Sequence, residues 1–189
     1  MKPPAAAPPG LLVVGLLCRD DALADESAAI LASRFGPVDA RSPVIPFDFT
    51  DYYEPEMGKN LRRSWSSFAR PVAPECLADI KLATGELERV LARRHGVSAE
   101  ATQDRSSAAP RRVVNLDPGV LTLHNFVLAS TKDFAHRVCL RGGVWAELTL
   151  VFHSGRYEPL PWTYPDYRSP ACLSFLLAAR ERLLAHRVR

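Results

Sequence analysis

The apolar run Leu11–Leu17 restricts the fold of this chain more than any other segment, because LLVVGLL contains no charged or hydrogen-bonding side chain. A run of this length is typical of a buried β-strand and is too short to cross a membrane. Leu17 and the acidic pair Asp20-Asp21 that follows do not fit the end of a signal peptide. We therefore predict a disordered Pro/Ala tail over residues 1–10 and a single α+β domain over residues 11–189.

Residues typical of helix starts and ends delimit two later segments. One of the two aspartates after the first strand caps a helix that Gly36 and Pro37 end. Pro74 opens a second helix, in which apolar residues recur at spacings of three and four over Leu77–Leu91. Further strands are predicted over Val38–Ile45, Leu61–Arg70 and Arg111–Leu116.

The order strand, helix, strand, strand, helix, strand predicts a ferredoxin-like βαββαβ fold, which is an antiparallel sheet with helices on one face. Beyond this unit, Gly142-Gly143 joins Arg137–Leu140 to Val144–Phe152 as a predicted β-hairpin. A closing helix that begins near Pro170 completes the C-terminal extension.

Three connecting segments are less regular. The small and polar residues 97–110 predict a mobile loop. Asp117-Pro118-Gly119 predicts a turn after a strand, and Val120–Lys132 fits either a short helix or a further strand. The proline-rich and aromatic segment Pro159–Pro170 predicts an irregular strap.

Charge and cysteine content argue against several classes of protein. The net formal charge of +3 is weak support for a nucleic-acid partner, although it does not exclude one. The four cysteines are far apart and form no C-x-x-C pair, so neither a zinc knuckle nor a redox dithiol is expected. We therefore predict reduced thiols, a cytoplasmic location and no association with membranes.

The segment Pro46–Lys59, PFDFTDYYEPEMGK, mixes four carboxylates with four aromatic rings. Hard divalent cations prefer oxygen ligands, so the segment predicts a site for a cation such as magnesium. Its proposed metal ligands are Asp48, Asp51 and Glu54, and its proposed ligand-binding rings are Tyr52 and Tyr53. The alternative is that the rings plug the core while the acids pair with arginines.

A second block places acidic and basic groups close together. Lys132 and Arg137 suit a phosphate or carboxylate, and His136 is of the residue type that most often serves as a general base. Either Asp133 or Glu147 would orient that histidine as a base. The predicted catalytic residues are therefore His136, Lys132, Asp133 and Glu147, with Arg137 as a ligand-binding residue. The alternative is a structural histidine and a glutamate that faces solvent.

The third block, WTYPDYRS at Trp162–Ser169, combines aromatic rings with a cation. Such a set stacks on a ring and clamps an anion, so Tyr164, Asp166 and Arg168 are predicted ligand-binding residues. The alternative is that the strap seals one end of the core.

Five blocks of the sequence resemble one family. They are VIPFDFTDYYEPEMGK, NLDPG, LASTKDFAHRV, WAELTL and PWTYPDYRS, and their order and spacing extend from Leu11 to about Arg187. The chain resembles an uncharacterised bacterial family catalogued as domain of unknown function 4416. Some members are labelled GTP-binding, but this sequence lacks the P-loop pattern, since Asn60 follows Gly58-Lys59.

The resemblance implies no activity, so function is predicted from the three blocks. Acidic, basic and aromatic residues together predict a site for a phosphorylated small molecule or nucleotide, in a binding protein or a divalent-metal-assisted enzyme. One alternative is a non-catalytic RNA-binding module, because ferredoxin-like sheets present aromatic rings to unstacked bases. Another is a protein-interaction module that dimerises through the closing helix or a sheet edge. The oligomeric state is left open.

Overall fold

The computed structural model describes residues 5–97 and 112–187, and in these ranges it contains one antiparallel sheet of nine strands with four α-helices. The strands are β1 Gly10–Cys18, β2 Val38–Arg41, β3 Ile45–Pro46, β4 Arg62–Val72, β5 Asn115–Leu121, β6 Asn125–Ser130, β7 Arg137–Arg141, β8 Val144–His153 and β9 Arg156–Pro159. The helices are α1 Asp21–Phe35, α2 Glu54–Met57, α3 Leu77–Arg94 and α4 Pro170–Arg187, with short 3-10 helices at Pro74–Cys76 and Asp166–Arg168. None of the helices in the described ranges is long and apolar enough to cross a membrane.

The strand order is β2-β4-β1-β5-β6-β8-β7, with β3 also beside β4 and β9 also beside β8. Every neighbouring pair is antiparallel. The predicted α+β class is therefore confirmed. The C-terminal hairpin is not a separate extension, because β6 pairs with β5 and joins β7, β8 and β9 to the same sheet.

Helices cover both faces of the sheet. Alternate residues of β1 point to opposite faces. Leu12, Val14 and Leu16 pack with α1 and α3. Leu11 and Val13 pack on the other side with α4. The two helices of the predicted βαββαβ unit, α1 and α3, therefore share one face, and the closing helix α4 covers the other. Coverage on both faces is why every residue of β1 is buried.

Several predicted local signals are confirmed. The Asp20 side chain accepts a hydrogen bond from the Leu23 N–H at 2.9 Å and caps α1, and Gly36 ends that helix. The β7–β8 hairpin turns at Gly142 and Gly143, whose φ angles of 60° and 74° suit a two-residue turn that β-carbons would strain. Of the mobile loop predicted at residues 97–110, residues 98–110 lie outside the described residues.

Two predictions about local structure are wrong. Asp117-Pro118-Gly119 is not a turn but lies inside β5, because all seven residues of that strand pair with β1. Pro74 opens a 3-10 turn rather than the second helix itself, which begins at Leu77, and Cys76 in that turn is exposed. Within Val120–Lys132 the strand alternative is correct, since β6 occupies Asn125–Ser130.

Strands β5 and β6 separate at Pro118. Only Gly119, Val120 and Leu121 of β5 pair with β6. In an antiparallel strand, the N–H and C=O groups of one residue both point toward the same neighbouring strand, and residues two apart point toward the same neighbour. Leu116 points away from β1, because its N–H and C=O bond to side chains of α3. Pro118 therefore also faces β6, where it has no N–H to donate, and the two strands diverge.

Candidate functional site

A cavity of about 900 Å³ lies where β5 and β6 diverge. Its walls come from α3, the segment between β3 and α2, the end of β6, the strap and the start of β5. Most ligand sites in proteins have volumes of roughly 300–1,000 Å³. The cavity is therefore large enough for a small organic molecule.

Arg63 of β4 organises the inner wall of the cavity. Its side chain is 4% exposed and donates hydrogen bonds to Asp166 at 2.8 Å and Asp117 at 2.9 Å. Asn115 donates to the same Asp117 oxygen at 2.7 Å, and Arg112 donates to Asn115 at 2.7 Å. This polar network links β4, β5 and the strap beneath the cavity.

The network favours the charged forms of Asp117 and Arg63. Burial alone would raise the pKa of Asp117, but the charges of Arg63 and Lys81 outweigh it and hold that pKa below its usual value. Burial likewise opposes the charge of Arg63, and the adjacent Tyr167, Asp166 and Asp117 raise the pKa of its guanidinium well above normal. The inner wall is therefore a fixed set of compensating charges.

Helix α3 supplies a second polar wall. Lys81 donates to the Leu116 carbonyl at 2.9 Å, and Glu88 accepts from the Leu116 N–H at 2.6 Å. These two side chains replace the ladder bonds that β6 would have made. Burial raises the pKa of Glu88, and the charge of Lys81 and the Leu116 hydrogen bond oppose this only in part. Between them, Gly85 leaves open space where a side chain would stand.

The rim of the cavity consists of the exposed residues Tyr52, Lys132 and Tyr164 together with Arg137, whose side chain is 6% exposed. The Lys132 ammonium donates to the Tyr52 hydroxyl at 2.7 Å and lies 4.3 Å from the centre of that ring. Arg137 donates to the Tyr164 hydroxyl at 2.8 Å and to the Lys132 carbonyl at 2.9 Å. Residues from all three sequence blocks therefore meet at this rim.

Glu147 holds the rim from below. Its side chain is 1% exposed, and it accepts a hydrogen bond from Arg137 at 2.8 Å. His136 Nε2 lies 3.1 Å from the same oxygen, and the ring stacks on Trp162 at a centroid distance of 4.9 Å. Glu147 therefore orients both Arg137 and His136.

The comparisons with known proteins give a family and nothing more specific. The family model described as a domain of unknown function, DUF4416, matches residues 8–183. The chain belongs to the DUF4416 family. No curated protein and no solved structure matches it. The predicted resemblance is confirmed over nearly the whole chain, and the site of this DUF4416 protein has to be interpreted from its own geometry.

Five predicted binding residues and two predicted catalytic residues line the cavity. They are Tyr52, Tyr53, Arg137, Tyr164 and Asp166, together with Lys132 and Glu147. The other predicted catalytic residues lie outside. His136 is turned toward Trp162, and Asp133 is exposed on the loop before β7 and has no hydrogen bond to a described residue. The carboxylate beside His136 is therefore Glu147 and not Asp133.

The proposed metal ligands do not converge. Asp48 is exposed and does not line the cavity. Asp51 and Glu54 border a separate shallow pocket, which they share with Lys59. In residues 5–97 and 112–187, no group of three or more His, Cys, Asp or Glu side chains is arranged to hold a metal ion. The segment instead packs Phe47 and Tyr53 against a small buried cluster of Leu17, Met57 and Leu61.

Arg168 does not reach the cavity. Its guanidinium donates to the carbonyls of Leu160, Pro161 and Thr163 and so closes the strap on itself. The strap interpretation therefore accounts for Arg168, whereas Asp166 and Tyr164 of the same block do line the cavity.

Sequence reasoning missed several cavity residues, namely Arg63, Lys81, Glu88, Arg112 and Asn115. A signal existed on α3, where Lys81, Gly85, Glu88 and Ala92 recur at spacings of four, three and four beside the apolar stripe. A glycine inside such a stripe indicates a helix face that adjoins open space. For Arg63, the signal was its position two residues before the buried Trp65, on the same face of the strand.

Proposed function

We propose that this DUF4416 protein binds a phosphorylated small molecule of nucleotide size in the cavity between β5 and β6. The observation that carries the proposal is the meeting of Tyr52, Lys132, Arg137 and Tyr164 from three distant sequence blocks at one rim. Lysine and arginine side chains are suited to phosphate oxygens. The volume of about 900 Å³ accommodates a nucleotide.

The charges at the rim support an anionic ligand. Arg63, Arg112 and Arg137 each have a carboxylate partner. Lys132 is a rim cation without a salt bridge to any described residue, and its contacts are to a neutral phenol. A phosphate placed beside Lys132 would therefore meet positive charge that no protein carboxylate already neutralises.

Aromatic side chains support a ligand with a planar ring. Tyr52 is 54% exposed and Tyr164 is 47% exposed, although both hydroxyls are held by hydrogen bonds. Phe49 is also exposed and lines the same cavity. Rings that are fixed at one edge and open on a face are suited to stacking on a nucleobase. We assign binding and no reaction, because His136 lies outside the cavity.

Replacing Lys132 with alanine is expected to weaken nucleotide binding by roughly 10- to 100-fold, the range for loss of one charge-assisted hydrogen bond. Isothermal titration calorimetry with adenosine 5′-monophosphate measures the effect. Lys59→Ala is the matched control, since Lys59 belongs to the same protein surface but borders only the shallow pocket. Equal losses in the two variants, or no binding to the unmodified protein, would contradict the proposal.

Two replacements of Gly85 separate cavity volume from charge. Gly85→Ala is expected to raise the free energy of unfolding by about 0.5–1 kcal/mol, because alanine favours a helix interior. Its β-carbon meets no atom within 4 Å. Gly85→Phe is expected to fill the cavity and abolish nucleotide binding while the protein stays folded. Calorimetry and urea denaturation of both variants check this, and a phenylalanine variant that binds normally would show that ligands bind elsewhere.

Other parts of the molecule favour this proposal over an RNA-binding sheet and over dimerisation through the closing helix. An RNA-binding sheet needs an open face, but α1 and α3 pack on one side of the central strands and α4 on the other. Dimerisation through the closing helix would need an apolar face of α4 that is free, but that face packs in the core of its own chain. A binding cavity uses neither surface.

The finer fold assignment and the location are also proposals. We infer that β1, α1, β2, β4, α3 and β5 form a ferredoxin-like unit, and the antiparallel order β2-β4-β1-β5 supports it. The cytoplasmic location is supported by four free cysteines, two of them exposed.

A further inference from the structure

We propose that Glu88 of α3 binds the ligand directly. Its carboxyl group would accept a hydrogen bond from an N–H group of the ligand at the split between β5 and β6. This inference rests on the proposed function and adds the orientation of the ligand. The phosphate lies at the rim beside Lys132, and a donor group on the ring points inward to the split between β5 and β6.

The carboxyl group of Glu88 has one free side. Its Oε1 accepts from the Leu116 N–H at 2.6 Å. Its other oxygen, Oε2, has no hydrogen bond to a described residue, and Glu88 forms no salt bridge in the described ranges. Glu88 lines the cavity, and its Oε2 keeps accessible surface. A carboxyl oxygen in a cavity without a protein partner is suited to a ligand donor.

The charged residues nearest to Glu88 are already committed to other partners. Lys81 bonds to the Leu116 carbonyl and lies 3.9 Å from Asp117. Arg112 bonds to Glu56 and Asn115. Neither cation donates a hydrogen bond to Glu88. Burial raises the pKa of Glu88, and the charges of Lys81 and Arg112 oppose this only in part. A donor from the ligand would supply the missing bond.

A second acceptor faces the same split. Continuing the register Gly119↔Leu128 by one residue places Pro118 opposite Ala129. Because proline has no N–H, the Ala129 carbonyl lacks the ladder donor that any other residue would supply. Ala129 is 4% exposed and lines the cavity. The split between β5 and β6 thus offers two acceptors, Glu88 and Ala129, whereas the rim offers cations. This polarity selects a ligand with a phosphate at one end and an N–H donor at the other.

Glu88→Gln tests the assignment with little change in shape. The Leu116 N–H still requires an acceptor, so it holds the amide oxygen of glutamine and turns the Nε2 group toward the cavity. A carboxyl group, ionised or protonated, offers a lone pair at that position, whereas the amide nitrogen only donates. The substitution therefore replaces an acceptor with a donor.

The experiment compares adenosine 5′-monophosphate with purine riboside 5′-monophosphate, which lacks only the 6-amino group, by isothermal titration calorimetry. The unmodified protein is expected to bind the amino compound about tenfold more tightly, the value of one good hydrogen bond. Glu88→Gln is expected to remove or reverse this preference. Glu86→Gln, an exposed residue of the same helix outside the cavity, is the control and should keep it.

The outcomes separate the two proposals. If neither compound binds the unmodified protein, the proposed nucleotide site is wrong. If both bind with equal affinity, or if Glu88→Gln keeps the preference for the amino compound, the site stands and the role of Glu88 is overturned. The comparison of the two compounds on the unmodified protein keeps the inference testable if Glu88→Gln does not fold.

Discussion

Replacing Arg63 with methionine is expected to lower the free energy of unfolding by about 3–5 kcal/mol, the range for breaking a buried ion pair by removing one partner. The side chain of Asp166 is 5% exposed, and the substitution removes the guanidinium that donates a hydrogen bond to it. Asp117 loses its strongest counter-charge and keeps only Asn115 and the more distant Lys81. Urea denaturation followed by circular dichroism measures the loss.

Arg62→Met is the matched control for this prediction. Arg62 is the neighbouring residue, but its side chain is 38% exposed and its partner Asp21 is 70% exposed. An exposed ion pair contributes about 0–1 kcal/mol, so this variant should unfold close to the unmodified protein. If both variants lost the same stability, the network beneath the cavity would not be the main electrostatic support of the fold.

The Arg63 variant also predicts a change in pH dependence. A carboxylate whose pKa is lowered in the folded state stabilises the fold above its unfolded pKa, and this stabilisation is lost as pH falls through the folded pKa. Asp117 has such a lowered pKa, because Arg63 and Lys81 outweigh its burial. Without Arg63, less positive charge opposes burial, so the pKa of Asp117 in the folded variant is higher than in the unmodified protein. The difference in the free energy of unfolding between the unmodified protein and Arg63→Met should therefore become smaller as pH falls into the acidic range.

Local signals in the sequence predicted those elements whose structure is determined locally. The apolar run Leu11–Leu17 is β1, extended by one residue at each end, and Asp20 and Gly36 bound α1 as expected. The Gly142-Gly143 turn forms the predicted hairpin. In these cases a few adjacent residues are enough to determine the local backbone structure.

Pairing between distant segments overrode the signals elsewhere. Asp117-Pro118-Gly119 has the composition of a turn, yet it lies in β5 because β1 offers a complete row of partners to that strand. The effect of Pro118 appears on the opposite side, where it separates β5 from β6. A proline that ends one ladder while the other continues cannot be told from a turn-former in a single sequence.

The candidate site divides in the same way. The rim could be foreseen, because its residues belong to conspicuous blocks of mixed charge and aromatic character. The arrangement of the inner wall could not, since Arg63 and Asp166 are 103 residues apart and nothing in either segment indicates that the two side chains pair. The partners of a buried charge are decided by the strand order, which the local pattern does not contain.

Replacing Gly15 with alanine is expected to lower the free energy of unfolding by about 1–3 kcal/mol, the usual range for overpacking a well-packed interior. A β-carbon at Gly15 would stand 2.5 Å from the Tyr167 hydroxyl and 3.3 Å from Arg63 Cζ. Tyr167 has little freedom to move, because its ring stacks on Phe126 at 5.9 Å and adjoins Arg63 at 5.2 Å. Thermal or urea denaturation measures the loss.

Tyr167→Phe tests the cause by removing the nearest clashing atom. The Tyr167 hydroxyl has no hydrogen-bond partner among the described residues, so Tyr167→Phe alone should change stability by less than about 1 kcal/mol. The double variant should recover most of the loss caused by Gly15→Ala, which gives a non-additive double-mutant cycle. If the effects of the two substitutions on the free energy of unfolding are additive instead, the residues around Gly15 move to accommodate the added β-carbon. The cavity would then be adaptable, and a rigid ligand orientation between Lys132 and Glu88 would lose its structural basis.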